Sequence, residues 1–450
     1  MHYYSTRNNN EPLNFAQAAL AGLAPDGGLY VPGEILEYSL SVRTSLGSMA
    51  YVDIAFETIK PWVKGDIPSG VLEEILHWAY PFTAPLINAG DRLVLELFHG
   101  PTAAFKDFGA RFMARCFSYL RRGEDRLLNV LTATSGDTGG AVADGFSGVE
   151  NAKVTVLYPK GRISVLQEKQ IAGLGENIKA LAVEGSFDDC QRLVKEAFAD
   201  QDLKKRLDLA SANSINVCRL IPQIVYYSAA AGRIFSGLTD PDGQASPRRS
   251  GFPQISASRK GEKAFFSVPS GNFGNLTAGL YAFKMGAPIE GFIAATNINK
   301  TIPDYLEKGF YEARLSQATI SNAMDVGAPS NFERMASHFS WEELKKIVLG
   351  ASVNDEETRE TILEVFNKGY YLDPHSAVGW KAAEKLESSR NLSGKAAVLS
   401  TAHPAKFAES LEAIVGPLSL PPALENIMSR EIKARTIPAE FEALREEILL

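Results

Sequence analysis

A recurring strand–turn–helix pattern is the feature that most limits the folds open to this chain of 450 residues. From about Arg92 onward, apolar runs end in polar or glycine-rich turns, and each turn leads into a segment with helical periodicity. This order is typical of an open, largely parallel sheet with helices on both faces. The pattern therefore predicts an α/β fold whose ligands bind at the carboxyl ends of the strands.

Four turns follow this pattern and are expected to gather at one crevice. They are FHGPTAAFKDFG (98–109), TATSGDTGG (132–140), SGNFGN (270–275) and STAHPAKF (400–407). The first follows the predicted strand RLVLELF (92–98). Its Asp107 is predicted to cap the next helix, which places Lys106 just before that helix.

Two of these turns suit anionic groups. In SGNFGN, the two glycines allow backbone N–H groups to converge on a phosphate at the positive end of a helix. The motifs of ATP cradles and dinucleotide sites are absent, and a purely connecting turn is the alternative. TATSGDTGG offers hydroxyls and free N–H groups that suit a carboxylate, although such turns also cap helices without any function.

Lys106 lies between two aromatic residues, Phe105 and Phe108. Taken alone, it could be an ordinary solvated surface lysine. However, a cation beside a helix N-terminus is electrostatically unfavourable, and apolar neighbours favour the neutral amine, which can attack a carbonyl. A phosphate turn, a carboxylate turn and an activated lysine are together what pyridoxal phosphate chemistry on an amino acid requires.

Composition excludes other classes of function. The formal net charge of -7 argues against sequence-independent binding of nucleic acid, which needs a basic face. No apolar run approaches the roughly 18 residues of a membrane span, and the start MHYYSTRNNNEP lacks a signal-peptide pattern, so a cytoplasmic protein is expected. Three separated cysteines and histidines without ligand spacing predict buried thiols and no metal site.

The ordered blocks ELFHGPTAAFKDFGARFMAR, TATSGDTGG, SANSINVCRLIPQIVYY, VPSGNFGNLTAG, DPHSAVG and STAHPAKF resemble the threonine synthases of the long-chain bacterial and fungal type. The resemblance covers nearly the whole chain, including GLAPDGGLYVP near the start and SNAMDV near residue 321. It implies the fold-type II architecture of pyridoxal phosphate enzymes, as in the tryptophan synthase β chain. It also implies conversion of O-phospho-L-homoserine and water to L-threonine and phosphate through a Schiff base on Lys106.

The resemblance further implies a set of site residues. Lys106 looks like the lysine that holds the cofactor and shuttles protons. The other residues implied to contact the cofactor are Asp137 near its phenolic oxygen, Thr401 at its ring nitrogen, and Gly271, Asn272, Phe273, Gly274 and Asn275 at its phosphate. Those implied to bind the substrate are Thr134, Ser135 and Thr138 at its carboxylate, and Ser214, Asn216 and Arg219 at its phosphate.

Physical chemistry supports two of these roles, since an arginine binds phosphate in bidentate fashion and a threonine hydroxyl can bond a ring nitrogen without enforcing its protonation. Asn275 departs from the acidic residue of many bacterial members. His375 in DPHSAVG is assigned no role.

Other functions stay open at this point. A threonine or serine dehydratase of the same fold would not need the phosphate-binding block SANSINVCR, and a phospho-lyase would differ only in its product. A non-catalytic relative is disfavoured by the retained Lys106. The sequence predicts an N-terminal extension (1–85), a catalytic core (86–450) with an embedded smaller subdomain (about 107–215), and a mobile polar loop at 237–263. We expect a monomer or homodimer.

Overall fold

The computed structural model describes residues 1–8, 11–240, 260–390 and 396–450. Most of the loop predicted at 237–263 lies outside the described residues. The strands are β1 (Tyr3–Ser5), β2 (Tyr30–Pro32), β3 (Leu86–Ala89), β4 (Arg92–Glu96), β5 (Leu128–Ala133), β6 (Ala152–Pro159), β7 (Ile178–Glu184), β8 (Asp208–Ser211), β9 (Ala264–Pro269), β10 (Ile289–Thr296), β11 (Val348–Ser352), β12 (Ala397–Ser400) and β13 (Ala434–Pro438).

Helices separate most of these strands, as the repeating pattern predicts. They are α1 (Phe15–Ala21), α2 (Leu40–Ser45), α3 (Tyr51–Ile59), α4 (Ser69–Ala79), α5 (Lys106–Leu120), α6 (Asp137–Phe146), α7 (Val165–Ala172), α8 (Phe187–Ala199), α9 (Gln201–Arg206), α10 (Val217–Leu220), α11 (Gln223–Ser236), α12 (Gly274–Lys284), α13 (Thr301–Lys308), α14 (Phe332–His338), α15 (Trp341–Ile347), α16 (Asp355–Asn367), α17 (Pro374–Arg390), α18 (Ala408–Val415), α19 (Pro422–Met428) and α20 (Phe441–Leu449). Two short 3-10 turns span Asn322–Met324 and Pro404–Phe407.

Two sheets form the framework of the described chain. The larger has the order β11-β10-β9-β12-β4-β3, and its strands are parallel except for the antiparallel pair of β3 and β4. The smaller has the order β13-β7-β6-β5-β8 and is parallel throughout. This mostly parallel α/β architecture is the one predicted from the sequence.

Both faces of each sheet are covered, as parallel sheets require. In β10, Phe292 and Ala294 pack into one hydrophobic cluster, whereas Ile293 and Ala295 pack into another with residues of α17. The smaller sheet alternates in the same way between the main cluster and one formed with α8 and α20. Burial on both sides explains why the strands read as continuous apolar runs.

Three stretches of the chain supply different elements of the fold. Residues 1–85 form β1, β2 and the first four helices, and β3 then begins the larger sheet at Leu86. The predicted subdomain at about 107–215 supplies four strands of the smaller sheet. The fifth, β13, comes from the C-terminal segment and pairs with β7, so the smaller sheet also includes chain outside 107–215.

Candidate active site

The turns after β4, β5 and β12 meet at the start of α5. The backbone N–H of Phe105 donates to the carbonyl of Thr401 at 2.9 Å, and Ala104 pairs with Ala402 in an isolated antiparallel bridge. From the smaller sheet, Asp137 approaches within 3.7 Å of the Lys106 amine. The site is therefore built where carboxyl ends of strands from both sheets face each other.

The predicted capping role of Asp107 is wrong. Helix α5 begins at Lys106 itself, and Phe105 occupies the capping position without a side-chain hydrogen bond. The carboxylate of Asp107 turns back and accepts hydrogen bonds from the backbone and hydroxyl of Thr102, at 2.9 and 2.5 Å. Asp107 thus closes the turn that precedes the helix, and this fixes where Lys106 emerges.

Lys106 lies in a shielded setting. Its side chain is 16% exposed, and its amine lies 4.5 Å from the centroid of the Phe105 ring. Burial lowers the pKa of Lys106, and the positive charges of Lys406 and Arg219 lower it further, while the Asp137 carboxylate opposes them. The aromatic residues that flank Lys106 in the sequence predicted a shift of its pKa in this direction.

Asp137, the first residue of α6, is almost fully buried and multiply bonded. One carboxylate oxygen accepts hydrogen bonds from the Lys406 amine at 2.9 Å and from Gln167 at 3.0 Å. Burial raises the pKa of this carboxyl, but Lys406 and Lys106 outweigh it and hold the pKa well below its usual range. Lys406 has no predicted role, although it lies within the block STAHPAKF.

The hydroxyl groups of the turn TATSGDTGG fall into two sets, one buried and one partly exposed. Thr134 is buried, and its hydroxyl oxygen accepts from the backbone of Gly136 and of Gly139, both at 2.9 Å. Ser135 and Thr138 are partly exposed. Thr134 therefore shapes the turn, whereas Ser135 and Thr138 are the hydroxyls accessible to a ligand.

The turn SGNFGN follows β9 and precedes α12, as predicted. Gly271 packs against another backbone: a methyl group there would lie 2.7 Å from the carbonyl of Ala323 and 2.8 Å from the α-carbon of Met324. Phe273 adopts a left-handed backbone with φ of 60°. Left-handed backbone at a helix start makes successive N–H groups converge, which is the geometry of an anion cradle.

The asparagines of this turn connect it to neighbours. Asn272 donates to the hydroxyl of Ser214 at 2.6 Å and accepts from the backbone of Ser330 at 2.6 Å. The carbonyl of Asn275 accepts from the hydroxyls of Tyr226 and Tyr227, both at 2.7 Å, and its buried amide nitrogen has no partner among the described residues. Gly274 begins α12.

The segment SANSINVCR lies beside the SGNFGN turn. Both N–H groups of the Asn216 amide are used inside the protein, on the carbonyls of Ala19 and Ser211, and its oxygen caps α10. Arg219 is buried and donates to the carbonyl of Ala212 at 2.6 Å, but its Nε atom has no partner among the described residues. Asn216 therefore holds the segment, and Arg219 keeps binding capacity.

A second buried arginine, Arg334, supports the same segment. It donates to the carbonyls of Ser214 and Ile215 and to the Asn331 side chain, and its Nε atom donates to Tyr30. In the described part of the chain, neither Arg334 nor Arg219 forms an ion pair with a carboxylate, and burial lowers the pKa of each to about 10. No sequence motif distinguished Arg334 beforehand.

Thr401 and His375 lie on a connected polar network. The Thr401 backbone donates to the Ser376 hydroxyl at 3.2 Å, and Ser376 in turn bonds Asp373. The Nδ1 atom of His375 forms a hydrogen bond of 2.9 Å with the carboxylate of Asp373, and its Nε2 atom accepts from the backbone N–H of Ala323 at 3.2 Å. His375 therefore supports the turn that covers Gly271.

Three further observations bear on the sequence predictions. Cys116, Cys190 and Cys218 are free and buried, as expected. The described residues contain no group of three or more acidic, histidine or cysteine side chains that could hold a metal ion. None of the described helices is both long and apolar enough to cross a membrane.

Comparison with known proteins gives the family. The profile of the family described as pyridoxal-phosphate dependent enzyme matches residues 89–402. Two further profiles, threonine synthase N terminus and threonine synthase C-terminal, match residues 2–80 and 376–448. The threonine synthase of Escherichia coli strain K12 is 42% identical, and the match covers 99% of each chain.

Solved structures agree with these matches. The crystal structure of threonine synthase from Escherichia coli superposes with a TM-score of 0.87 at 42% identity, covering 100% of this chain and 99% of that one. The structure of threonine synthase from Brucella melitensis, described as bound to PLP, superposes with a TM-score of 0.87 at 35% identity, covering 100% and 98%. The chain belongs to the threonine synthase family of pyridoxal-phosphate-dependent enzymes.

Proposed function

We propose that this chain converts O-phospho-L-homoserine and water into L-threonine and phosphate. The observation that carries the proposal is the placement of a shielded lysine of lowered pKa, Lys106, close enough to the buried Arg219 for their charges to interact, while no carboxylate among the described residues forms an ion pair with Arg219. The backbone of Gly109 on α5 packs against that of Arg219, which keeps the two side chains on adjoining elements. A reactive amine next to an unbalanced cation suits an amino acid that carries a phosphate.

The residues present fit pyridoxal phosphate. Gly271 leaves no room for a side chain and Phe273 adopts the left-handed backbone, so Gly271, Asn272, Phe273, Gly274 and Asn275 would hold the cofactor phosphate with their backbone at the start of α12. Lys106 would carry the cofactor covalently. Asp137 would lie near its phenolic oxygen, and the Thr401 hydroxyl near its ring nitrogen.

Proton transfer is the contribution of Lys106. When bound, the cofactor withdraws electrons from the substrate carbons and so makes their protons removable. The Lys106 amine, whose pKa is lowered by its surroundings, would take the proton from the α carbon, release it, and then take a proton from the β carbon, so that the bond between the γ carbon and the phosphate oxygen can break. A proton returned to the γ carbon, addition of water at the β carbon and a proton returned to the α carbon complete the exchange.

Substrate orientation would come from the turn TATSGDTGG and the segment SANSINVCR. Ser135 and Thr138 would donate to the substrate carboxylate, and Thr134 would hold the turn in shape. Arg219 and Ser214 would bind the substrate phosphate, while Asn216 would keep their segment in place. Holding both ends of the substrate aligns the bond to the leaving phosphate with the reacting carbons.

The phosphate-binding segment separates this reaction from that of a dehydratase. A dehydratase substrate carries no distal phosphate, so two buried guanidinium groups around residues 214–219 would have no charge to balance. Retention of Lys106 disfavours a non-catalytic relative. A phospho-lyase would use the same contacts, so its product is what distinguishes it.

Product identification tests the proposal. Purified protein loaded with pyridoxal phosphate is incubated with O-phospho-L-homoserine, and amino acids, 2-oxo acids and phosphate are quantified. We expect threonine and phosphate in equal amounts, and neither from Lys106→Ala. Formation of 2-oxobutyrate and ammonia as the only carbon and nitrogen products would refute the proposal.

The assembly state is a separate proposal. We infer that the chain acts as a monomer or homodimer, because every group assigned above lies on one chain. Sedimentation at working concentration should give one or two chain masses, and a larger assembly would contradict this.

A further inference from the structure

Lys406 occupies an unusual position for a lysine. Its side chain is fully buried, and it follows β12 in the 3-10 turn Pro404–Phe407. Its amine donates to the carbonyl of Thr102 at 2.7 Å and to the carboxylate of Asp137 at 2.9 Å. A single ammonium group therefore ties together the turns that follow β4, β5 and β12.

The same carboxylate faces the reactive lysine. One oxygen of Asp137 bonds Lys406, while the other lies 3.7 Å from the amine of Lys106, beyond hydrogen-bond distance. A buried ammonium is tolerated only when it is paired and hydrogen-bonded, and Lys406 meets both conditions through Asp137. The carboxylate is therefore shared unequally, with the closer contact going to Lys406.

The electrostatic environment of the Lys106 amine depends on how the Asp137 carboxylate is shared between the two lysines. The charged groups that act on it are Asp137 on α6, Lys406 after β12, Arg219 on α10 and Asp373 before α17. Asp137 and Asp373 favour the protonated amine, whereas Lys406 and Arg219 disfavour it. If Lys406 lost its charge, Asp137 would be free to pair with Lys106, and the repulsion between the two lysines would disappear as well.

We propose that Lys406 is a positioning residue that holds the Asp137 carboxylate away from Lys106 and so keeps the Lys106 amine easy to deprotonate. The inference rests on the role of Lys106 proposed above and adds to it a residue outside the sets assigned to the cofactor and the substrate. Burial alone does not give the same result, because a freed carboxylate 3.7 Å away would favour the ammonium form. The pair of Asp137 and Lys406 is what lets the site combine a nearby anion with a reactive amine.

The test measures the proton affinity of Lys106 directly. The full chain, freed of cofactor and shown to be folded by thermal unfolding, is treated briefly with an amine-acylating reagent over a range of pH. Peptide mass spectrometry then gives the rate of labelling at Lys106. In Lys406→Met we expect the midpoint of that pH profile to rise by about one unit or more, so that labelling at a fixed lower pH falls about tenfold.

Two variants separate charge from structure. Lys406→Arg keeps the positive charge and should leave the Lys106 midpoint near that of the parent. Lys179→Met removes a different partly buried lysine, paired with Glu447 at 3.1 Å on the smaller sheet, and should also leave it unchanged. A Lys406→Met protein that is folded and has the parent midpoint would overturn the proposal.

The parent chain provides a check that needs no variant. Its Lys106 midpoint should lie clearly below the value of about 10.4 for a lysine in a short peptide. A midpoint at or above that value would also overturn the proposal. Because labelling is read without substrate or turnover, it succeeds or fails independently of the product analysis that tests the proposed function.

Discussion

Two clusters of buried cationic side chains lie next to each other in this molecule, and they differ in whether a carboxylate pairs with them. Lys106 and Lys406 share the carboxylate of Asp137. Arg219 and Arg334 donate mainly to backbone carbonyls, including those of Ala212, Ser214 and Ile215, and within the described residues no carboxylate pairs with either. The lysine cluster contains its own carboxylate, whereas no carboxylate among the described residues forms an ion pair with the arginine cluster.

The difference indicates what each cluster is for. A buried charge without a counter-ion is costly, so a fold retains one where a ligand supplies the opposite charge. Burial lowers the pKa of both arginines to about 10, which records that cost. An internally balanced cluster adjusts the reactivity of an amine, and an unbalanced one binds a charged group from outside.

The largest expected effect comes from removing the unbalanced charge. Arg219→Met should lower kcat/KM for the phosphorylated substrate about a hundredfold or more, because a buried charge pair with the phosphate is lost. Steady-state kinetics measures this. Arg192→Met, which removes an exposed ion pair on α8, should leave kcat/KM unchanged. Equal losses in both variants would contradict the assignment of Arg219.

The proposed phosphate cradle at SGNFGN, built from backbone alone, extends the comparison. In Gly271→Ala the new methyl group would lie 2.7 Å from the Ala323 carbonyl, so the turn must shift and cofactor affinity should fall about tenfold or more. Equilibrium titration with pyridoxal phosphate measures the change. Gly70→Ala is the matched control, since Gly70 would gain a methyl group with none of the neighbouring atoms of the described chain within 4 Å. Unchanged affinity in Gly271→Ala would exclude the backbone cradle.

Inorganic phosphate should distinguish the two cationic clusters without any substrate. In the cofactor-loaded protein, phosphate at several times its Kd should raise Tm by about 2 to 5 °C, because it binds the folded arginine cluster. The shift should vanish in Arg219→Met. Persistence of the full shift in that variant would place the added anion elsewhere.

A further prediction, on stability and not on ligand binding, concerns Asp107, whose charge acts on both clusters. Burial raises the pKa of Asp107 to about 6. Because the folded-state pKa exceeds the ordinary value, folding favours the protonated form, so this group adds stability as pH falls from about 7 to 4 and removes it as pH rises.

Denaturant unfolding of the parent and Asp107→Asn at several pH values measures this contribution. The parent should gain at most about 3 kcal/mol of unfolding free energy relative to the variant over that range. A constant difference between the two proteins would show that Asp107 does not titrate there.

Much of the fold was predictable because it rests on local pattern. Continuous apolar runs and polar turns marked the parallel strands and their carboxyl ends, and they located SGNFGN and TATSGDTGG at the starts of α12 and α6. The fifth strand of the smaller sheet was not predictable. Ala434–Pro438 pairs with a strand about 250 residues earlier, and its mostly exposed side chains give no apolar signal.

The site was predictable only in part, because some of its residues are identified by long-range packing and not by local sequence pattern. Lys106 stood out because both of its flanks are aromatic, and Arg219 because it lies in a distinctive block. Lys406 lies in an equally distinctive block, but its burial against Asp137 depends on packing between two sheets. In the sequence, Arg334 resembles any arginine of a helix. Its role is visible only in the fold, where it donates to the carbonyls of Ser214 and Ile215.

The most direct test of the central claim is to locate the covalent cofactor. Protein loaded with pyridoxal phosphate is reduced with borohydride, digested and mapped by mass spectrometry, which distinguishes the two neighbouring lysines. The account predicts a phosphopyridoxyl group on Lys106 and none on Lys406. A label on Lys406, or none on Lys106 in protein that retains bound cofactor, would contradict it.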